Sequence, residues 1–201
     1  GNSGGALLNM EDDYKFKVLG RTLDDAIGEV YDKVAKVLDL PYPGGPNIEK
    51  YALQGTPSYD LPKPMNNDEL NFSYSGLKSA VINLVHNEKQ RGNELRKYDL
   101  AASFQTVAID ELVRKTELAI NQLGIERLII AGGVTANKYL RGEMEKLAQK
   151  HNIKLTIPPM KYCTDNATMI GAAGYVLYKN NQFSDLNVNA NSHEVLDIVS
   201  E

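Results

Sequence analysis

Arg127-Leu-Ile-Ile-Ala-Gly-Gly-Val-Thr-Ala-Asn-Lys-Tyr-Leu-Arg141 is the stretch on which the fold turns. It opens with a short apolar run, Leu128 to Ala131, of a length that reads as a buried strand. Gly132 and Gly133 break the run. From Asn137 to Gln149 the residues Leu140, Met144, Leu147 and Ala148 then recur at helical spacing. A strand, a glycine turn and a helix in that order bring backbone N–H groups close to a ligand. The helix start adds a partial positive charge that suits phosphate. An ordinary βα turn has the same pattern, so these residues alone leave both readings open.

Further along, Ile153 to Ile157 reads as a second strand, stopped by Pro158-Pro159. Cys163-Thr-Asp-Asn-Ala-Thr-Met-Ile-Gly-Ala-Ala-Gly174 follows, and Thr164 or Asp165 would cap a helix running to about Tyr178. That helix carries Ala167, Gly171, Ala172, Ala173 and Gly174, small enough for another backbone to approach. Strand, glycine loop, helix, strand and an acid-bearing helix start make half of a nucleotide cleft.

The stretches 132–141 and 163–171 closely resemble two signatures of the TsaD family. That family makes the threonylcarbamoyladenosine of tRNA and was long described as an O-sialoglycoprotein endopeptidase. Two further signatures match: Asp24-Asp-Ala-Ile-Gly-Glu-Val-Tyr-Asp-Lys33 with Tyr42-Pro-Gly-Gly-Pro46, and Phe72-Ser-Tyr-Ser-Gly-Leu-Lys78. The resemblance covers nearly the whole chain, but the chain covers only the later part of a family member. It implies an α/β fold of the actin/Hsp70/sugar-kinase (ribonuclease H-like) type. The expected unit is one lobe with extra helices, its N-terminal lobe missing. The domains expected are residues 1–22, a strand segment that is partly linker or tag; 23–164, the second lobe; and 165–201, a helix and tail crossing toward the missing lobe.

The resemblance also assigns roles. It makes Asp32 a ligand for a ribose hydroxyl, with Gly45 its neighbour in the pocket. Gly132 and Gly133 lie in the nucleotide loop, Asn137 stands on the adenine side, and Ser75-Gly-Leu-Lys78 forms part of an interlobe wall. Asp165 matches an aspartate that, with two histidines at His-x-x-x-His spacing, holds one divalent metal, iron or zinc. The histidines here are His86, His151 and His193, and no two are four apart. The histidine motif belongs to the first lobe, so little tightly held metal is expected of this chain.

The family reaction is acyl transfer, from threonylcarbamoyl-adenylate to the exocyclic amine of the adenosine beside the tRNA anticodon. Such a site holds the adenylate, polarises its carbonyl and brings the amine into line. No residue of this chain is assigned a catalytic role. The partners implied are tRNA, the missing lobe, and the small non-catalytic homologue and ATPase partner of the bacterial threonylcarbamoyl complex. The alternative is a homologous module that binds a nucleotide or partner without chemistry. The older protease reading finds no nucleophile–base pair and no His-Glu-x-x-His helix.

Composition sets outer bounds. With 201 residues and 42% apolar side chains, the chain is large enough for a core. A net charge of −4 gives no general attraction to nucleic acid, so a tRNA partner needs a local basic patch. Lys89, Arg91, Arg96 and Lys97 are the one candidate. A single cysteine fits a reducing compartment, and with no membrane-length apolar run or signal peptide the expectation is cytoplasmic. The chain begins Gly-Asn-Ser, as expected of a tagged or processed fragment.

The remaining elements follow from pattern. Tyr14 to Leu19 reads as a strand, and residues 1–10, including Ser3-Gly4-Gly5, as a loose terminus. Residues 23–39 form an amphipathic helix with Ala26, Ile27, Val30, Val34, Val37 and Leu38 on one stripe. Pro41 to Pro46 reads as a stiffened loop, 47–54 as a short helix, and 56–71 as loop. A helix follows from the Ser-Gly-Leu-Lys segment to near His86. The longest helix, 98–123, uses Leu100, Phe104, Val107, Leu112, Val113, Ile120 and Leu123 and stops at Gly124. The 165–178 helix has almost no purely polar side, so self-association through 165–199, or folding of that helix over its own sheet, is expected.

Overall fold

The computed structural model describes residues 6–10, 16–21, 27–64, 70–71, 73–131, 136–157 and 174–178. Its organising unit is the one expected from the deciding stretch. Strand β3 (Arg127–Ala131) leads to helix α5 (Lys138–His151) and on to strand β4 (Lys154–Thr156). β3 and β4 pair in parallel with Leu128 opposite Leu155. Leu128 and Ile130 are buried, and so are the four α5 residues that the spacing selects, Leu140, Met144, Leu147 and Ala148. α5 ends at Asn152, whose φ of 53° turns the chain left-handed; the Ile153 N–H then donates to the Ala148 carbonyl at 2.9 Å.

Three more strands complete the sheet. β1 (Ala6–Met10) and β2 (Phe16–Arg21) form an antiparallel hairpin with an irregularity between Leu7 and Leu8. Residues 6–10 are therefore strand rather than loose terminus; pairing on both edges fixes a segment whose sequence shows little beyond two leucines. β5 (Gly174–Tyr178) corrects the helix expected over 165–178. Gly-Tyr-Val-Leu-Tyr is an aromatic and β-branched run behind a glycine, and a short run of that kind fits a strand as well as a helix. Long-range pairing decides it, since β5 lies parallel to β1 on one side and antiparallel to β3 on the other. The sheet order is β2-β1-β5-β3-β4. Residues 165–173 and the tail to 201 lie outside the described residues.

The other helices are α1 (Ile27–Val37), α2 (Gly44–Ala52), α3 (Ser75–Gln90) and α4 (Lys97–Leu123). α2 starts earlier than the sequence suggests: Gly44 and Gly45 are its first turn, not part of the preceding loop. α3 runs past His86 to Gln90, because nothing before Gly92, at φ 71°, stops it.

α4 is the spine, packed against α2 on one side and α5 on another. Contact on two sides explains why its burial departs from a single stripe. Ala101, Ala108, Ile109 and Ala119 are buried, while Val107, Val113 and Leu123 are only partly so. Small residues let α2 approach, and each fully buried Leu or Phe stabilises by about 1.5–3 kcal/mol relative to exposure. Phe104 meets Tyr31 of α1 edge-on, ring centroids 4.9 Å apart. Lys115 and Glu111 are also buried on α4. Burial raises the Glu111 carboxyl pKa against the pull of Arg114 and Lys115. Among the described residues, no helix is long and apolar enough to cross a membrane.

Candidate functional site

α2 is the element that gathers the site. At its start the Gly44 N–H donates to Asp32 Oδ1 on α1 at 2.8 Å. Pro43 precedes the helix and offers no side-chain cap, so the α1 carboxylate supplies the acceptor from outside. The approach is close: a Cβ on Gly44 would stand 2.6 Å from the Asp32 Cα. A Cβ on Gly45 would meet nothing within 4 Å. Of the two glycines, packing requires Gly44, while Gly45 faces open space. Asn47 fixes the turn before them, its Nδ2 donating to the carbonyls of Pro41 and Pro43 at 2.9 Å each.

Some five residues on, about 8 Å of helix rise, α2 reaches the start of α5. There Glu49 Oε1 accepts from the Lys138 backbone N–H at 2.9 Å. Asn137 caps the same helix: its Oδ1 accepts from the Leu140 N–H at 2.9 Å, and its Nδ2 donates to Gln105 Oε1 on α4 at 2.8 Å. Asn137 is 7% exposed. Two of the first amides of α5 are thus already taken, one by a carboxylate of the chain itself. The partial positive charge expected to draw phosphate has Glu49 as a resident competitor. Glu49 was not visible in the sequence, because its partner lies 89 residues away and no short-range pattern marks it.

At the next residue, Tyr139 donates to Asp110 Oδ1 at 2.8 Å and ties α5 to α4. Burial raises the Asp110 carboxyl pKa; burial and the bond to Asp110 push the Tyr139 hydroxyl well above its ordinary value. Gln105, Asp110 and Tyr139 therefore hold Asn137 in place.

α2 thus contacts Asp32 at its start and, through Glu49, the residue that follows Asn137. Gly132, Gly133 and Asp165 lie outside the described residues. Among the described residues, His86 and His151 lie in no cluster of metal-ligating side chains. His86 is exposed on α3, His151 lies 3.3 Å from Glu117, and His193 is outside the described residues. Among the described residues, no group of three or more His, Cys, Asp or Glu could hold a metal. A groove of about 560 Å³ runs between α5 and β4, lined by Arg141, Glu145, Gln149, Asn152 and Leu155 among others. None of Asp32, Gly45 or Asn137 lines it. In the basic connector, Arg96 is already engaged. It donates to Asp99 at 3.1 Å and Ser58 at 3.2 Å and lies over the Tyr59 ring at 4.6 Å.

A sequence model of the family described as "TsaD: tRNA N6-adenosine threonylcarbamoyltransferase" matches residues 4–172. Proteins named tRNA N6-adenosine threonylcarbamoyltransferase are similar to this chain in several organisms. The one from Bacillus cereus is 52% identical over 187 residues, covering 92% of this chain and 54% of its own length. The Geobacillus thermodenitrificans protein is 50% identical over 92% of this chain and 55% of its own length. For Staphylococcus carnosus the figures are 47%, 96% and 56%. The chain therefore spans about half the length of the curated relatives it matches. Among solved structures, full-length HypF in its phosphate- and nucleotide-bound form aligns with a TM-score of 0.48 at 15% identity. It covers 74% of this chain and 18% of that one, a likeness too slight to bear on function.

Proposed function

The chain belongs to the TsaD family of tRNA N6-adenosine threonylcarbamoyltransferases, and from that premise we propose that it carries the nucleoside-holding part of such an enzyme. The reaction joins the exocyclic amine of a tRNA adenosine to the carbonyl carbon of threonylcarbamoyl-adenylate. The amine nitrogen forms the new C–N bond, the carbonyl–phosphate C–O bond breaks, AMP leaves, and the amine gives up a proton. This chain's part is to hold the adenylate while that happens. Asp32 has one oxygen on Gly44, and its other oxygen serves a ribose hydroxyl. The open space over Gly45 admits the sugar. Asn137 keeps a second Nδ2 hydrogen for the adenine edge. Gly132 and Gly133 complete the loop. A divalent metal, iron or zinc, would polarise the carbonyl when bound by Asp165 and the histidines of a first lobe. The whole protein would be a lobed, actin-like enzyme in the cytoplasm, working with the small homologue and ATPase of the bacterial complex.

The observation that carries this reading is α2, which binds Asp32 at one end and reaches the Asn137 cap with Glu49. Calorimetry with an adenine nucleotide tests it. Asn137→Ala is a poor probe, because it deletes the α5 cap and leaves buried Gln105 without its donor, costing roughly 2–4 kcal/mol of fold stability. Asn137→Asp keeps the cap, and Gln105 can rotate to donate. We expect millimolar or tighter nucleotide binding, weakened about tenfold by Asn137→Asp, one lost hydrogen bond, with the melting temperature held. Binding indifferent to that change, or no binding, would refute the assignment.

A further inference from the structure

Three consecutive residues at the start of α5 are each held by a side chain from another helix. Asn137 Nδ2 donates to Gln105 Oε1 on α4 at 2.8 Å, the Lys138 N–H donates to Glu49 on α2 at 2.9 Å, and the Tyr139 hydroxyl donates to Asp110 on α4 at 2.8 Å. Glu49 fixes the backbone and Asp110 a phenol. Gln105 holds an amide whose oxygen is already engaged, since Asn137 Oδ1 accepts from the Leu140 N–H at 2.9 Å. The support behind Gln105 is firm. Its neighbour Phe104 is fully buried and packs edge-on against Tyr31. Ser103 Oγ donates to the Asp99 carbonyl at 2.7 Å and accepts from the Tyr59 N–H at 3.0 Å. Gln105 and Asn137 are each 7% exposed.

Capping and packing do not account for this pair. A cap needs only an oxygen, which Ser, Thr or Asp supplies equally well. Packing needs only volume, and an apolar pair of the same shape can be as stable as two buried amides. Neither explains a nitrogen on residue 137 with an acceptor placed for it on α4. What the Gln105 bond adds is direction. An amide is planar, so anchoring its oxygen at the cap and one nitrogen hydrogen on α4 fixes the plane. The line of the second Nδ2 hydrogen is then fixed too. Among the described residues that hydrogen has no acceptor. A donor already held on its line binds a ligand without having to order another rotor.

We propose that Gln105 is a positioning residue for the base. It acts through Asn137, holding that amide so that its remaining N–H meets an unprotonated ring nitrogen of adenine. The inference rests on the ligand role of Asn137 proposed above and adds the residue that makes it directional. A ring nitrogen offers a single lone pair in the plane of the base, and a hydrogen bond weakens steeply off its line. An Asn137 side chain free to turn would therefore lose most of that bond.

The test is a double-mutant cycle on AMP binding, read by calorimetry, with Gln105→Met and Asn137→Asp. Methionine fills the same space and removes the acceptor. Gln105→Met should weaken AMP about tenfold, as Asn137→Asp does. In the Asn137→Asp background it should change affinity less than about twofold, because the hydrogen it positions is gone. Gln105→Glu keeps an acceptor and should restore binding to within about threefold of wild type. Gln105→Asn, too short to reach, serves as the loss variant if the methionine chain does not fold. Without nucleotide, nitrogen-15 spectra should show the Asn137 side-chain amide protons exchanging with water faster in Gln105→Met than in wild type. Full AMP affinity in the loss variant, equal losses in both backgrounds, no recovery in Gln105→Glu, or unchanged amide exchange would each overturn the proposal. A wild-type chain that binds no AMP removes the nucleoside site and this role together. Binding lost in Asn137→Asp but kept in Gln105→Met removes this role alone.

Discussion

Gly44 and Gly45 are neighbours with opposite duties. Gly44→Ala must push its Cβ into the α1 backbone, and Gly55→Ala into the Tyr98 carbonyl, so each should lower stability by about 1–3 kcal/mol. Gly45→Ala meets open space and should leave stability unchanged or raise it by up to about 1 kcal/mol. Urea unfolding of the three variants checks the order; equal losses at Gly44 and Gly45 would contradict the geometry. If Gly45→Ala also weakens nucleotide binding, the loss belongs to the pocket and not to the fold. The Tyr-Pro-Gly-Gly-Pro motif made the pair legible, and the resemblance singled out Gly45. The need for Gly44 was hidden, because it depends on where α1 crosses α2. Asn137 was named from the sequence as a ligand. Its place as a buried cap bonded to Gln105 needed the position of α4.

Helix ends show how much of an element can be read locally. α1 closes with the Leu40 N–H on the Ala35 carbonyl at 2.8 Å and Asp39 left-handed at φ 57°. That is the place where glycine is usual. Asp39→Gly should therefore raise stability by about 0.5–1 kcal/mol, since the ion pair lost to Lys97 is exposed and long. A lower melting temperature would show that pair to matter more than the backbone. Gly124 was found from sequence because it follows the last apolar residue of α4, whereas Asp39 carries no such mark. The last turn of α5 meets α4 at Glu117, where Lys150 lies at 3.1 Å and His151 at 3.3 Å. Burial raises the Glu117 carboxyl, but those two neighbours outweigh it and its pKa falls below the ordinary 4.5. The folded state thus holds the proton less tightly than the unfolded one. The contact contributes fully above pH 4.5 and is lost as pH falls through the lower folded value. Glu117→Gln should be less stable at neutral pH, with the gap from wild type closing across that window. A gap that stays constant in acid would refute the linkage. β5 marks the limit of local reading, since its five residues suit helix or strand equally and only β1 and β3 choose between them.

Across the whole molecule, the βαβ unit and the long α4 were legible because each rests on periodicity or a compact motif. Sheet order was not, because no periodic signal says which strand lies beside which. β5 stands between the β1–β2 hairpin and the β3–β4 pair, and among the described strands it alone joins them. A chain ended at Ala173 should keep α4, α5, β3 and β4, while the hairpin, marginal by itself, loses its amide protection. Hydrogen exchange reads this directly, and a hairpin still protected after truncation would contradict the order. The position of β5 also bears on synthesis. Ala6 pairs with Gly174, so the first described strand waits for the last described one before its inner edge is satisfied. While the ribosome works through the helices, β1 and β3 present open edges, each a template for pairing with another chain. The time between synthesis of β1 and of β5, the last described strand, then sets how long those edges stay open.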